Sequence, residues 1–284
     1  MIRFPRPFTS PLAHAAAAVL AAAAAHAQSD FSSPYVPTPP VAVERMLALA
    51  QVTRDDVVMD LGSGDGRIVI AAAKRHGARA TGVEYDPRLV AVSRRNAGAA
   101  GVADRVRFLE GDLFKVDLSP ATVVTVYLLP DVNRKLRDKL LAELRPGTRV
   151  VAHDFDMESW RPDRVESFYA PEKHNGRGGE SRVLLWIVPA EVRGAWRLES
   201  AALPAPGEVQ LALGQNFQRI EGEATLGGLS ATLREPALRG VLIRFSLDLG
   251  AGPLAFAGEV RGDEMVGTAR GAAGTWPWRA TRRR

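Results

Sequence analysis

The chain has 284 residues, a hydrophobic fraction of 46% and no cysteine. The length suits two modest domains behind a short leader and the composition excludes global disorder, while the missing cysteines exclude disulfides, thiolate metal sites and cysteine nucleophiles. The net charge of +5 is largely peripheral, because Arg3 and Arg6 stand in an acid-free start and Arg279, Arg282, Arg283 and Arg284 crowd the end; with no Lys/Arg stripe interleaved with aromatics, the balance does not point to nucleic acid.

Residues 1–27 read as an export signal, with a positive start, an alanine-rich apolar run from Leu12 to Ala25, and Ala25-His26-Ala27 as a small-residue cleavage site. The run is short for a membrane span; an uncleaved anchor or an organelle presequence is the alternative. Export implies a periplasmic or envelope location. Residues 28–40 are rich in Ser and Pro and predict an extended arm. Val41–Ala50 has helical apolar periodicity. Strands and helices then alternate: a strand at Val57–Asp60, a helix at Arg67–His76 closed by Gly77, a strand at Ala80–Tyr85, and a helix started by Asp86 as cap and Pro87 as first residue. Val106–Leu109, Val123–Leu128 and Arg149–Ala152 are the next strands, with a helix at Asp131–Leu144 before the last of them. Val165–Tyr169 and Val183–Val188 form a final pair. This order predicts an α/β domain over 41–190, a Rossmann-like, mostly parallel sheet of seven strands.

From residue 191 to 284 no helix of four turns is evident. Five short β-like runs (Gln210–Leu213, Glu223–Leu226, Val241–Leu249, Leu254–Val260 and Met265–Ala269) alternate with Gly and Pro turns. They predict a small all-β domain, barrel or sandwich, with Trp276-Pro277-Trp278 closing it.

The most informative stretch runs from Val57 to Arg67. An apolar strand ends in Asp60-Leu61-Gly62-Ser63-Gly64-Asp65-Gly66, and a helix follows at once. Glycines allow a tight turn and close approach of a ligand, and the helix start offers N–H groups to a carboxylate. Nicotinamide and flavin enzymes also carry glycine loops, but their usual spacing is G-x-G-x-x-G; here it is G-x-G-x-G, which favours S-adenosylmethionine. Asp60 at the strand end suits the methionine ammonium. Glu84 ends the second strand, 18 residues past Gly66, where a carboxylate accepts from ribose hydroxyls; the alternative is a solvated strand end. Asp112, after the third strand, suits an adenine amino group with Leu113 against the ring, or else simply makes a Gly-Asp turn. Five scattered histidines make no metal constellation.

Four segments in order carry a narrower likeness: Tyr35-Val36-Pro37-Thr38, the loop Asp60 to Val69, Tyr127-Leu128-Leu129-Pro130, and Trp160-Arg161-Pro162. Over about residues 34–165 the chain resembles a class I S-adenosylmethionine-dependent methyltransferase, and within that class the mitochondrial lysine methyltransferases that act on the ATP synthase c-subunit and the adenine nucleotide translocase. The leader and the β-rich end have no counterpart in that resemblance. It implies a lysine acceptor on a protein, with a membrane protein as one possibility. It also implies that the arm, with Tyr35 and Thr38, folds over the cofactor. A methyltransferase acting on a small molecule or lipid, and a cofactor-binding envelope module without turnover, stay open beside it.

Methyl transfer to nitrogen is an in-line displacement that needs alignment and a neutral amine. The end of the fourth strand is where the methyl group should emerge, so Tyr127 either holds an amine there or fills the core. Asp154, after the fifth strand, orients or deprotonates the acceptor, or is a loop carboxylate. His153 reads as an ordinary strand-end residue. Residues 191–284 are expected to localise the enzyme or recruit its partner.

Overall fold

A computed structural model describes residues 35–203, 208–250 and 252–283; the leader expected over 1–27 and the first part of the arm, 28–34, lie outside the described residues. The first lobe alternates helix and strand: α1 (Pro40–Leu49), β1 (Val57–Leu61), α2 (Arg67–His76), β2 (Arg79–Glu84), α3 (Pro87–Ala99), β3 (Val106–Glu110), β4 (Val123–Val126), α4 (Pro130–Glu143), β5 (Arg149–His153), β6 (Arg164–Ala170) and β7 (Gly179–Ile187). Local chemistry sets the boundaries. Gly77 ends α2 in the left-handed region at φ 71°, where glycine carries no steric penalty. Lys74, Arg75 and His76 in its last turn complement the helix dipole. Asp86 caps α3, its carboxylate accepting from the Arg88 N–H at 2.8 Å, and Pro87 opens the helix.

The strands form one sheet in the order β3-β2-β1-β4-β5-β7-β6. β1 to β5 are parallel and β7 runs antiparallel between β5 and β6. The order reverses between β1 and β4, and in open α/β sheets the crevice for ligands lies beyond the carboxyl ends of the strands at such a reversal. One face packs Val58, Val123, Val151 and Val183 against α1, α2 and α3. The other packs Met59, Leu61, Val126 and Ala152 against α4, Met157 and Trp160. Because side chains alternate along a strand, Asp60, Thr125 and His153 fall on the face of α1 to α3.

The second lobe is a nine-stranded antiparallel sheet in the order β11-β10-β9-β8-β16-β15-β14-β13-β12. Its strands are β8 (Gly194–Ser200), β9 (Val209–Asn216), β10 (Arg219–Leu226), β11 (Leu229–Thr232), β12 (Arg234–Arg239), β13 (Leu242–Leu247), β14 (Leu254–Arg261), β15 (Glu264–Gly271) and β16 (Gly274–Arg282). β16 joins the first and last parts of the lobe by pairing with β8, and β12 also approaches β10, so the sheet curls nearly into a barrel. The interior is filled with side chains: Phe245 and Phe256 stack at 4.9 Å, and Trp278 meets both edge-on at 5.9 and 5.8 Å. The five expected β runs therefore become nine strands. β8 and β16 escape a run-based reading because charged residues and Pro277 interrupt them. β12 escapes it because a register break between Arg234 and Ala237 surrounds Glu235, at φ 48°, and Pro236, and proline sits in sheets at edges and bulges.

The lobes join on the α4 side. The turn between β9 and β10 stacks Phe217 on Trp160 at 6.1 Å, and the Trp160 Nε1–H donates to Gln218 Oε1 at 3.1 Å. Gln218 Nε2 donates to the Arg161 carbonyl at 2.7 Å, and the Arg137 guanidinium lies 5.8 Å over the Phe217 ring. A second contact runs from the Ala190 N–H to the Gly240 carbonyl at 2.8 Å.

Candidate active site

The glycine loop leaves β1 and folds back over β2. The N–H groups of Gly62 and Ser63 both donate to the Val83 carbonyl at 2.9 Å, and the Gly64 N–H donates to Glu84 Oε2 at 2.8 Å. Glu84 also accepts the Asp86 N–H on Oε1 at 3.0 Å. It is thus a half-buried brace between the loop and α3 as well as a strand-end carboxylate beside the crevice. The close approach explains Gly82, which no motif marks in the sequence: a Cβ there would stand 2.5 Å from Ser63 Oγ and 2.9 Å from Phe108. Gly64, at φ 54°, is covered by the ring of Tyr35, which a Cβ would strike. Gly66 opens α2 with no side-chain cap.

Asp65 is occupied within the chain. It pairs with Arg67 through Nη2 at 2.7 Å and Nε at 2.9 Å, and also bonds Tyr35. Burial opposes its ionisation, but Arg67 outweighs that and holds its carboxyl below the usual range. Arg67 Nη1 in turn donates to the Thr38 carbonyl at 2.8 Å. The structure thus gives Asp65 a fastening role: with Arg67 it pins the arm from Tyr35 to Thr38 onto the loop, and Thr38 is buried there.

Asp60 is 2% exposed, and its hydrogen bond among the described residues is from Thr125 Oγ1 to Oδ1 at 2.7 Å. Burial first, and then the negative charges of Glu84 and Asp65, push its pKa up to about 7. A carboxylate so placed is short of one positive charge. The α-ammonium of S-adenosylmethionine supplies that charge, the brace at Glu84 lies one strand away for the ribose, and the buried Ser63 Oγ has no hydrogen-bond partner among the described residues. The residues present fit the cofactor. Asp112 and Leu113 stand past β3, where Gly111 N–H donates to the Glu84 carbonyl at 2.9 Å. Asp112 Oδ1 closes its own turn on the Phe114 N–H at 2.9 Å, and Leu113 is partly buried against the core.

A second group of residues lies one step further along the same face. Asp60 pairs in register with Thr125, and Thr125 with Val151; Tyr127 and His153 extend past them, with ring centroids 4.1 Å apart. Tyr127 is half-buried and faces Phe155 at 6.2 Å. Burial, and then Asp154, raises its phenol pKa. His153 is fully buried, and that burial lowers its pKa to about 4, so the ring is neutral at physiological pH. Asp154 Oδ1 accepts from Ser181 Oγ at 3.0 Å and from the Arg182 N–H at 2.9 Å, while Oδ2 lies 2.8 Å from Lys173 Nζ. Burial disfavours its charge, yet Lys173 and these donors hold its carboxyl below the usual range. A carboxyl held that low is a weaker base than an ordinary aspartate, and it already pairs with an ammonium of the chain. His153, Ser181 and Lys173 do not stand out as site residues in the sequence. They sit in no motif; the pairing of β5 with β7 and the turn between β6 and β7 bring them together.

The ANTKMT methyltransferase domain model matches residues 60–164. A protein-lysine N-methyltransferase of Saccharolobus islandicus is 49% identical over 133 residues, covering 46% of this chain and 83% of that protein. The ATP synthase c-subunit lysine N-methyltransferase of Xenopus laevis is 42% identical and the adenine nucleotide translocase lysine N-methyltransferase of Mus musculus 43%, each over 46% of this chain; the chain spans 58% and 57% of their lengths. Among solved structures, one described as an RNA methyltransferase of Salinibacter ruber, bound to S-adenosyl-L-homocysteine, is 55% identical with a TM-score of 0.51, covering 55% of this chain and 96% of that one. With the crevice, the glycine loop and the buried Asp60 already in place, these likenesses agree: the chain belongs to the ANTKMT methyltransferase domain family of S-adenosylmethionine-dependent methyltransferases.

Proposed function

We propose that the chain methylates the side-chain amine of a lysine on a protein. The observation that carries this reading is Asp154, a largely buried carboxylate that binds an ammonium beside the rings of Tyr127, His153 and Phe155. In this reading Asp60 holds the cofactor's ammonium, Glu84 the ribose, the backbone from Gly62 to Gly66 the methionine part, and Asp112 with Leu113 the adenine, under the arm of Tyr35 and Thr38. Bound there, the cofactor supplies an electrophilic methyl group on a sulfonium. Asp154 captures and orients the incoming ammonium. The proton must then leave to water before the amine can attack, a step that burial beside the rings favours and the pairing with Asp154 opposes. Neutral His153 adds no further positive charge beside the acceptor. The names of the similar lysine methyltransferases support this acceptor class. The export reading of residues 1–27 makes the cell envelope the place to look for the acceptor.

A second reading, methylation of RNA, is favoured by the likeness to the Salinibacter ruber protein, which is described as an RNA methyltransferase. One experiment separates the two. The protein is incubated with methyl-labelled S-adenosylmethionine, envelope proteins and total RNA, and the hydrolysates are resolved. Label in methyllysine is the expected result; label in nucleosides alone rejects the lysine acceptor.

A further inference from the structure

The acceptor cleft already contains a cation of the chain itself. Lys173 Nζ sits 2.8 Å from Asp154 Oδ2, also donates to the Glu180 carbonyl, and approaches Ser181 Oγ at 3.4 Å. The two side chains are only 16% and 14% exposed. The surrounding network has a definite direction. A carboxylate only accepts, so the single proton of Ser181 is committed to Asp154 Oδ1. His153 Nε2, 2.7 Å from the same hydroxyl oxygen, therefore carries its proton and donates to it. Every group around Asp154 is thus a donor, and the ammonium completes the set.

Lys173 does not come from a sheet strand. It projects from the turn between β6 and β7, where His174 and Asn175 both take left-handed φ values of 54° and 59° and the residues flanking the lysine are exposed. Non-glycine residues hold that conformation only where their surroundings impose it. A long flexible stem on a strained, solvent-facing turn is suited to leaving and returning.

Resting on the amine-acceptor reading above, we propose that Lys173 is a specificity-determining residue, whose ammonium occupies the acceptor subsite on Asp154 and is exchanged for the ammonium of the incoming lysine. The exchange selects by charge. A neutral acceptor that displaced Lys173 would leave the Asp154 carboxylate largely buried and unpaired, which is strongly unfavourable, whereas an arriving ammonium restores the pair. The same exchange assists release. A fully methylated ammonium has no N–H to give to Asp154 or to the Glu180 carbonyl, so Lys173 regains its place.

The test is calorimetric binding of n-butylammonium, which carries the lysine side chain's amine, to the full chain with S-adenosyl-L-homocysteine present. Lys173→Met is expected to bind it at least tenfold more tightly than the wild type, Lys173→Arg no better than the wild type, and n-butanol is expected to bind neither. Equal n-butylammonium affinity in the wild type and Lys173→Met, with S-adenosyl-L-homocysteine affinity intact, overturns the proposal. A second measurement needs no variant. In the wild type, saturating n-butylammonium should move the ¹³C resonance of Lys173 Cε to the position of an exposed lysine, and an unmoved resonance in the bound state also overturns it. Failure of the acceptor reading looks different: n-butylammonium would still exchange with Lys173, supporting the subsite, while no methyllysine formed in any protein.

Discussion

The two lobes solve the problem of a buried sheet in opposite ways. Every buried polar or charged side chain among the described residues, from Thr38 to Ser181, lies in the first lobe; the barrel has none. A parallel sheet ends in loops at one edge, and where the strand order reverses those loops separate and leave polar side chains facing an opening. A near-closed antiparallel barrel has no such reversal, and Trp196, Phe245, Phe256, Met265 and Trp278 fill its interior. Chemistry therefore concentrates at the ends of β1, β2, β4 and β5, and the barrel is a packed body attached to the opposite face through Phe217 and Gln218. At that attachment Phe217 stacks on Trp160, a core residue of the first lobe.

The contrast can be broken most sharply at Gly64. Gly64→Arg places a side chain at φ 54° against the Tyr35 ring and should abolish binding of S-adenosyl-L-homocysteine in isothermal titration; retained binding would mean the loop is not the cofactor cradle. Next in size is the junction. Trp160→Ala removes a fully buried ring and should cost about 3–5 kcal/mol of stability in chemical denaturation, while cofactor affinity in the folded fraction stays the same. A loss of affinity instead would tie the barrel's side of the sheet to the site.

Protonation offers a graded test. Asp60 must be ionised to hold an ammonium, and its pKa lies at about 7. Protons compete with the cofactor below that value, so affinity should rise by about tenfold per pH unit as pH increases toward 7, then level off. Asp60→Asn should flatten the profile; a flat profile in the wild type would remove the ammonium from Asp60. A smaller effect is expected at Glu84, where Glu84→Ala should weaken cofactor binding by about 1.5–3 kcal/mol, the range for hydrogen bonds to a charged group. Because Glu84 also braces the Gly64 and Asp86 N–H groups, the loop should exchange amide hydrogens faster in the variant. The smallest effect is expected from the barrel. A chain lacking residues 191–284 should keep cofactor affinity within a few-fold by titration, whereas removing residues 35–38 should lower it more. The reverse ranking would place the barrel in the site and the arm outside it.

What the sequence determined on its own is what local physics writes into a segment. The apolar runs of β1, β4 and β5, the left-handed stop at Gly77 and the Asp86-Pro87 start specified the elements. The position of a carboxylate at a strand end was enough to put Asp60 and Glu84 at the crevice, because alternation fixes a face and strand order fixes an edge. In the barrel the same rules underperformed, since strands interrupted by charges, Pro236 or Pro277 are held by their neighbours and not by their own pattern. Pairings across the chain were decided only in three dimensions. Asp65 reads from sequence with the cofactor-binding loop, and it anchors the arm because Arg67 and Tyr35 converge on it. Asp154 is open from sequence between orienting the acceptor, deprotonating it and serving as a loop carboxylate, and the β6–β7 turn gives it the Lys173 ammonium across 19 residues of chain. Residue type and spacing set which face a side chain takes; which partner neutralises it depends on the strand order β5-β7-β6, and burial then makes that partner decide its charge.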